Sequence, residues 1–142
     1  MTPLEALQAQ LADEHLALHL YGVLGARTSA SASPALHQAL SAGYRQHRAR
    51  RDVLRGFVTD AGGVPVTAEA AYDVPATWVG PRRIALAAVE LENAGMERLS
   101  ALVASTAGAT REWAVTELVW SAVQSVALGA SPTTWPGAPE LV

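Results

Sequence analysis

Ionisable residues interrupt the apolar stripes of all four predicted helices. Core positions recur every three or four residues along a helix, and on that spacing Glu14, His47 and Glu92 fall in line with leucines and alanines. Two carboxylates and an imidazole could hold one metal ion, with waters in the open positions. Buried charges are costly unless they are paired or bound to a metal. The three residues therefore predict either a metal site or a buried ion network.

The segment "AGYRQHRARRD", residues 42–52, carries one histidine and four arginines on the second predicted helix. Helical spacing directs His47 and one of Arg50 and Arg51 inward, and either arginine fits the stripe. An inward guanidinium would repel cations and could neutralise the buried carboxylates. We therefore expect a buried Glu/His/Arg network in preference to a metal site. The outward arginines are expected to be solvated, so a nucleic-acid partner is not expected.

Composition favours an all-α fold. Half of the 142 residues are hydrophobic but only 6% are aromatic, whereas strands favour β-branched and aromatic residues. A net charge of −3 gives no global attraction to nucleic acid or anionic lipid. No uncharged apolar run approaches the ~20 residues that span a bilayer, and the first residues lack a basic and then apolar leader pattern. We expect a single-domain, soluble, cytoplasmic protein without a membrane partner.

Start and stop signals predict four helices. Thr2-Pro3, Ser33-Pro34 and Gly80-Pro81 are typical helix starts, and Thr110 is a candidate cap for the last helix. The three prolines of the C-terminal segment forbid a fifth helix, so this segment is predicted to be an extended tail packed through Trp135. The predicted helices cover residues of about 3–27, 34–61, 81–106 and 111–128.

The connections predict how the helices are arranged. Short links make the first two helices, and the last two, antiparallel neighbours. The middle link, residues 62–79, has 18 residues and at ~3.3 Å each reaches nearly 60 Å, longer than the ~40 Å of a 27-residue helix. Two hairpins joined by one long crossover are the ferritin-like arrangement; an up-down bundle with a loose middle loop is the alternative.

Four segments carry a resemblance to a known superfamily: "EHLALHLYGVLGAR" (14–27), "HRARRDVL" (47–54), "VELEN" (89–93) and "WPGAPE" (135–140). The chain resembles the ferritin-like superfamily, and more narrowly a bacterial family of small ferritin-like domains of unassigned role. In metal-binding relatives, two single glutamates and two Glu-x-x-His motifs hold two iron or manganese ions. The resemblance therefore implies a metal centre.

The residues match that ligand pattern only in part. The resemblance assigns Glu14 and Glu92 to the single glutamates and His47 to one motif histidine, but Tyr44 stands where that motif has its glutamate. Glu117, the candidate on the fourth helix, is followed by Trp120 at the histidine position. Hairpin geometry also places Glu117 two turns from Glu92, or ~10 Å along the axis. We expect a degenerate di-metal site.

These observations predict a non-catalytic structural or interaction protein without a cofactor. Its buried polar network is expected to include the following residues: Glu14, Tyr44, His47, Arg50, Arg51, Glu92 and Glu117. The alternative is an iron- or manganese-dependent oxidoreductase, or an iron-binding protein, that uses Glu14, His47 and Glu92 as ligands. Because the fourth helix is hydrophobic nearly all round, we also expect a homodimer. Any other protein partner stays unidentified.

Overall fold

The computed structural model describes residues 1–141, which form four α-helices and no strand. This confirms the predicted all-α four-helix fold, since three helices begin at the predicted residue and end one residue early. The helices are α1 (Pro3–Ala26), α2 (Pro34–Asp60), α3 (Pro81–Ser105) and α4 (Gly108–Ala127), followed by a short 3₁₀ turn at Pro139–Leu141.

The start of α1 has the capping hydrogen bonds that its sequence predicts. The Thr2 hydroxyl accepts a hydrogen bond from the Glu5 N–H at 3.2 Å, and the Glu5 carboxylate accepts one from the Thr2 N–H at 2.7 Å. Both donors would otherwise be unpaired at a helix N-terminus. The predicted cap is therefore present.

The start of α4 differs from the prediction. The helix begins at Gly108, three residues before the predicted residue 111, and Thr110 lies inside it. Only two residues, Thr106 and Ala107, connect α3 to α4, and both have an extended backbone. The connection is therefore shorter than predicted. The Thr106 hydroxyl donates to the Leu102 carbonyl at 2.6 Å and closes the last turn of α3.

Two separate apolar clusters hold the helices together, one toward each end of the bundle. The first includes Leu7 and Leu11 of α1, Leu54 of α2 and Leu102 of α3. The second cluster includes the following residues: Tyr21, Leu24, Leu40, Ile84, Ala88 and Leu128. On every helix the predicted site residues lie between the two clusters. The bundle thus consists of two apolar layers with a polar layer between them.

The connection from α2 to α3 runs along α1, as its length predicts. Near the start of α1, the Gln8 side chain donates to the Val64 carbonyl at 2.7 Å and accepts from the Val66 N–H at 2.9 Å. At the other end, Arg27 donates to the carbonyls of Pro75 and Trp78, both at 3.1 Å. Backbone groups of an irregular segment need such partners, so these two side chains fix the crossover in place.

The C-terminal segment returns to α3, but its closest contact is not the predicted one. Trp135 is 53% exposed, whereas Gly137, with a φ of 75°, lies so close to the Met96 carbonyl that a Cβ would overlap it. Only a residue without a side chain fits there. None of the helices in the described part of the chain is long and apolar enough to cross a membrane; the cytoplasmic location stays a prediction.

Two glycines on α2 allow a matched test of close packing. A Cβ at Gly43 would overlap the buried Tyr21 ring, while a Cβ at Gly56 meets nothing within 4 Å. Alanine in place of a helical glycine normally stabilises by about 1 kcal/mol. We therefore expect Gly56→Ala to raise the urea midpoint and Gly43→Ala to lower it, because Tyr21 must move. A gain in both variants would contradict the packing of Tyr21 against Gly43.

Candidate functional site

Five ionisable side chains from all four helices meet between the two apolar clusters. We call them the polar layer: Glu14, His47, Arg50, Glu92 and Glu117. The first four are at most 1% exposed and Glu117 is 8% exposed. Each side chain reaches the layer because it continues the inward stripe of its helix; on α2 the buried residues Gly43, His47, Arg50 and Leu54 follow the helical spacing.

His47 lies between two carboxylates from different helices. Its Nδ1 is 2.6 Å from Glu14 Oε2, and its Nε2 is 3.1 Å from Glu92 Oε1. An ionised carboxylate can only accept hydrogen bonds, so both ring nitrogens must donate. A histidine with two N–H groups is an imidazolium cation, and the arrangement is therefore a buried anion–cation–anion bridge.

Electrostatics support the charged form of His47. Burial alone would lower the pKa of His47, but the charge and hydrogen bond of Glu14, followed by those of Glu92, raise it from 6.5 to about 9. For Glu92 the burial effect is opposite and raises the pKa, yet the hydrogen bond and charge of His47 bring it below its ordinary value. At neutral pH His47 is therefore positive and Glu92 negative.

Two further side chains complete the bridge. The Tyr21 hydroxyl donates to the same Glu92 oxygen that His47 contacts, and Gln10 Nε2 donates to Glu14 Oε1 at 2.7 Å. Burial, and then the charge of Glu92, raise the pKa of Tyr21 far above its usual range, so it stays a neutral donor. The predicted network omitted both residues, although they lie four residues before and seven after Glu14, on the same helical face.

Arg50 forms a second ion pair, with Glu117 of α4. Its Nε is 2.6 Å from Glu117 Oε2, and its Nη2 donates to the Glu117 carbonyl at 2.8 Å and to Ser121 Oγ at 2.9 Å. Gln46 also donates to Glu117 Oε2 at 2.6 Å. The guanidinium carbon lies 5.3 Å from the centroid of the Trp120 ring, which is within cation–π range. Glu117 is thus neutralised by Arg50.

The structure shows which of the two arginines faces inward, and it pairs that arginine with a different carboxylate from the expected ones. Arg51 points outward and pairs with Asp52 at 2.7 Å, so Arg50 is the inward residue. We expected the inward arginine to neutralise Glu14 and Glu92. Instead, its closest approach to Glu14 is 4.0 Å, without a hydrogen bond. The reason is that the imidazolium already lies between those carboxylates, while the α4 carboxylate is within reach of the guanidinium.

Tyr44, expected in the network, lies outside it. Its side chain is 39% exposed, and it makes no hydrogen bond to the polar layer within the described residues. Gly43 takes the inward position on this turn because the Tyr21 ring occupies the space beside α2. The polar layer therefore receives its tyrosine from α1 and not from α2.

The polar layer does not fit a metal centre. A metal-bound histidine presents a nitrogen lone pair to the metal, but both His47 nitrogens donate to carboxylates. The Arg50 guanidinium lies within 4.0 Å of Glu14 and is always charged. Among residues 1–141, no three histidine, aspartate or glutamate side chains are grouped so that they could hold a metal ion.

The raised pKa of His47 predicts a pH dependence of stability. The folded value of about 9 lies above the ordinary 6.5, so the stabilisation is fully present below pH ~6.5 and is lost as the pH rises through ~9. The shift corresponds to about 3 kcal/mol of unfolding free energy. Urea unfolding between pH 6 and pH 10 should show this fall in the native chain and not in His47→Gln.

A second histidine on α2 supplies the control. His37 is partly exposed and makes no side-chain ion pair within the described chain, so His37→Gln should keep the full pH dependence. A His47→Gln variant whose stability falls with pH as steeply as that of the native chain would show that another group is responsible.

Comparison with known proteins agrees with this architecture. Among proteins with curated descriptions, none matches the chain. The fold is similar to the crystal structure of rv2844, a conserved hypothetical protein from Mycobacterium tuberculosis, with a TM-score of 0.79 and 30% identity over 87% of this chain and 92% of the other. Residues 6–140 match the family described as "Domain of unknown function (DUF4439)", and the chain therefore belongs to that family.

Proposed function

We propose that this chain is a non-catalytic bundle protein in which fixed side-chain cations take the place of metal ions, and that it acts through protein contacts. The observation that carries the proposal is the bridge in which His47 donates one hydrogen bond to Glu14 and one to Glu92. Two buried carboxylates need a cation between them. Here the chain itself supplies that cation.

Burial and bonding in the polar layer favour a structural role over catalysis. A general acid or base must come within hydrogen-bond distance of a substrate. Glu14, His47 and Glu92 are each at most 1% exposed, and both nitrogens of His47 are already bonded to carboxylates. To exchange a proton with a substrate, His47 would have to break one of these charged contacts, which is costly in a low-dielectric interior.

The helix order supports a ferritin-like origin for this network. Two hairpins are joined by one long crossover, as in ferritin-like bundles. One glutamate from α1, one from α3 and a histidine from α2 lie at the same level. We infer that the layer is a degenerate di-metal site in which histidine and arginine now neutralise the glutamates.

The metal question is tested by the variant Glu14→Gln. In an ion network, this substitution leaves His47 with a weaker partner and should cost roughly 3–5 kcal/mol, equally with and without added metal. The measurement is urea unfolding after incubation with ferrous iron, with manganese or with chelator. Elemental mass spectrometry of the native chain should show far less than one metal ion per chain in each case.

The control for this test is Glu90→Gln, which removes a carboxylate from the exposed face of α3 and should leave stability nearly unchanged. Near-stoichiometric metal that disappears in His47→Ala would contradict the proposal. That result would instead support the alternative, an iron- or manganese-dependent oxidoreductase that uses Glu14, His47 and Glu92.

The contact surface that we propose is a valine stripe on α4. Val115, Val119 and Val123 are spaced by four residues and are 43%, 58% and 66% exposed. The one charged residue of α4 between them is Glu117, which points inward to Arg50. An uncharged stripe of identical residues is self-complementary across a two-fold axis, so the partner that fits it is a second copy of the chain.

The area of the valine stripe is small for a protein–protein interface. A 20-residue helix is about 30 Å long, and a strip about 10 Å wide along it has an area of roughly 300 Å². Stable interfaces bury roughly 800 Å² from each partner. The stripe is therefore smaller than the patch that a stable dimer uses, and we propose a weak, transient dimer.

Sedimentation equilibrium over a wide concentration range tests the dimer. The native chain should change from monomer to dimer with rising concentration, whereas Val119→Arg should stay monomeric because it places two like charges across the axis. Val64→Arg is the control, since Val64 is an equally apolar and 85% exposed residue of the crossover. A native chain that stays monomeric up to the millimolar range would contradict the proposed contact.

A further inference from the structure

A cavity of about 390 Å³ lies between α1 and α3 and extends to the polar layer. Its inner end is lined by Gln10, Glu14 and His47, each about 1% exposed. Arg98, whose side chain is 51% exposed, lies at the outer end. This volume lies within the range of small-molecule sites, and the cavity ends against the polar layer.

Hydrogen bonding at the inner end is unbalanced. The donors there are in use, because His47 donates to both carboxylates and Gln10 Nε2 donates to Glu14. Gln10 Oε1, in contrast, is buried without a hydrogen-bond partner in the described residues. Each carboxylate oxygen of Glu14 accepts one bond and can accept another. Among the residues that line the inner end, the unpaired group is therefore an acceptor. The unpaired donor Arg50 Nη1 does not line the cavity and lies 4.0 Å from Glu14 Oε1, too far for a hydrogen bond.

The charges around the cavity favour a cation. At the outer end, Arg98 is paired with Asp13 at 2.9 Å, and Glu97 adds a further carboxylate. The lining and the polar layer behind it together contain five carboxylates and three cations. The carboxylates are Asp13, Glu14, Glu92, Glu97 and Glu117, and the cations are His47, Arg50 and Arg98.

The walls and the size of the cavity restrict which ligand could accompany a cationic group there. Its walls include Leu16, Leu91 and Ala94, which are apolar, and Gly95 leaves one side open because a Cβ there would meet nothing within 4 Å. An apolar wall favours an apolar ligand body, at roughly 25 cal/mol for each Å² removed from water. The space is too small for a folded partner but suits a short aliphatic chain.

We propose that this cavity binds a small primary amine as its ammonium ion on a short apolar body. The ammonium donates to Gln10 Oε1 and Glu14 at the inner end, where it also reduces the excess negative charge. The apolar body contacts Leu16, Leu91 and Ala94. This site is independent of the role proposed above, because it requires only the cavity and the free acceptors, not the absence of catalysis.

The test uses n-butylammonium chloride titrated into ¹⁵N-labelled native chain. We expect saturable amide shifts along α1 and α3 around the cavity, and binding at least about tenfold tighter than that of n-butanol, which has the same body without the charge. Butyrate, of opposite charge, should not bind. Absence of saturable binding, or equal binding of the alcohol and the ammonium, would overturn the proposal.

Two variants locate the site. Gly95→Leu fills part of the cavity from a position where a Cβ meets nothing within 4 Å, and Gly56→Leu makes the same change at an open position on α2 outside it. Gln10→Met removes the free acceptor while keeping the side-chain length. We expect butylammonium binding to weaken by about tenfold or more in Gly95→Leu and Gln10→Met, and not in Gly56→Leu. Unchanged affinity in both cavity variants would overturn the assignment.

A metal titration separates the amine site from a cation site of another kind. Manganese chloride alone should not produce the shifts seen with butylammonium, since no third ligand group of the required type lies nearby in the described chain. Manganese that saturates the same amides and displaces butylammonium would assign the cavity to a divalent cation and overturn the amine proposal.

Discussion

The imidazolium bridge of His47 is the interaction on which the centre of this bundle depends. Glu14 and Glu92 come from helices that pack against each other, and two carboxylates at this distance in a dry interior would repel strongly. The bridge converts that repulsion into two attractive contacts and connects three helices through one side chain. It holds only while the ring keeps both protons, so the packing of α1, α2 and α3 is coupled to the charge of one histidine.

The apolar clusters and the polar layer contribute to the bundle in different ways. The two apolar clusters supply most of the burial and hold the ends of the bundle. The polar layer contributes less net free energy, because desolvation offsets much of the attraction in a buried ion pair. We infer that its main contribution is to fix helix register, since a shift of one turn in any helix would separate His47 from Glu92 or Arg50 from Glu117.

Charge balance connects the polar layer to the cavity beside it. Three carboxylates against two cations leave the layer with one excess negative charge. Three buried atoms have no hydrogen-bond partner in the described chain, the acceptors Gln10 Oε1 and Glu92 Oε2 and the donor Arg50 Nη1. Buried polar atoms without partners are uncommon and costly. A layer that neutralises most but not all of its charge can thus be self-sufficient as a structure and still attract a small cation from the adjoining cavity.

The sequence by itself determined the helices, the crossover and the inward direction of Glu14, His47 and Glu92, because caps, prolines and apolar spacing act along a single chain segment. Spacing specifies the direction of a side chain only to within about one residue, so it left both Arg50 and Arg51 as candidates. Tertiary structure decided that choice, the pairing of Arg50 with Glu117 and the exclusion of Tyr44. These outcomes depend on the height and rotation of one helix relative to another, which no pattern within a single helix contains.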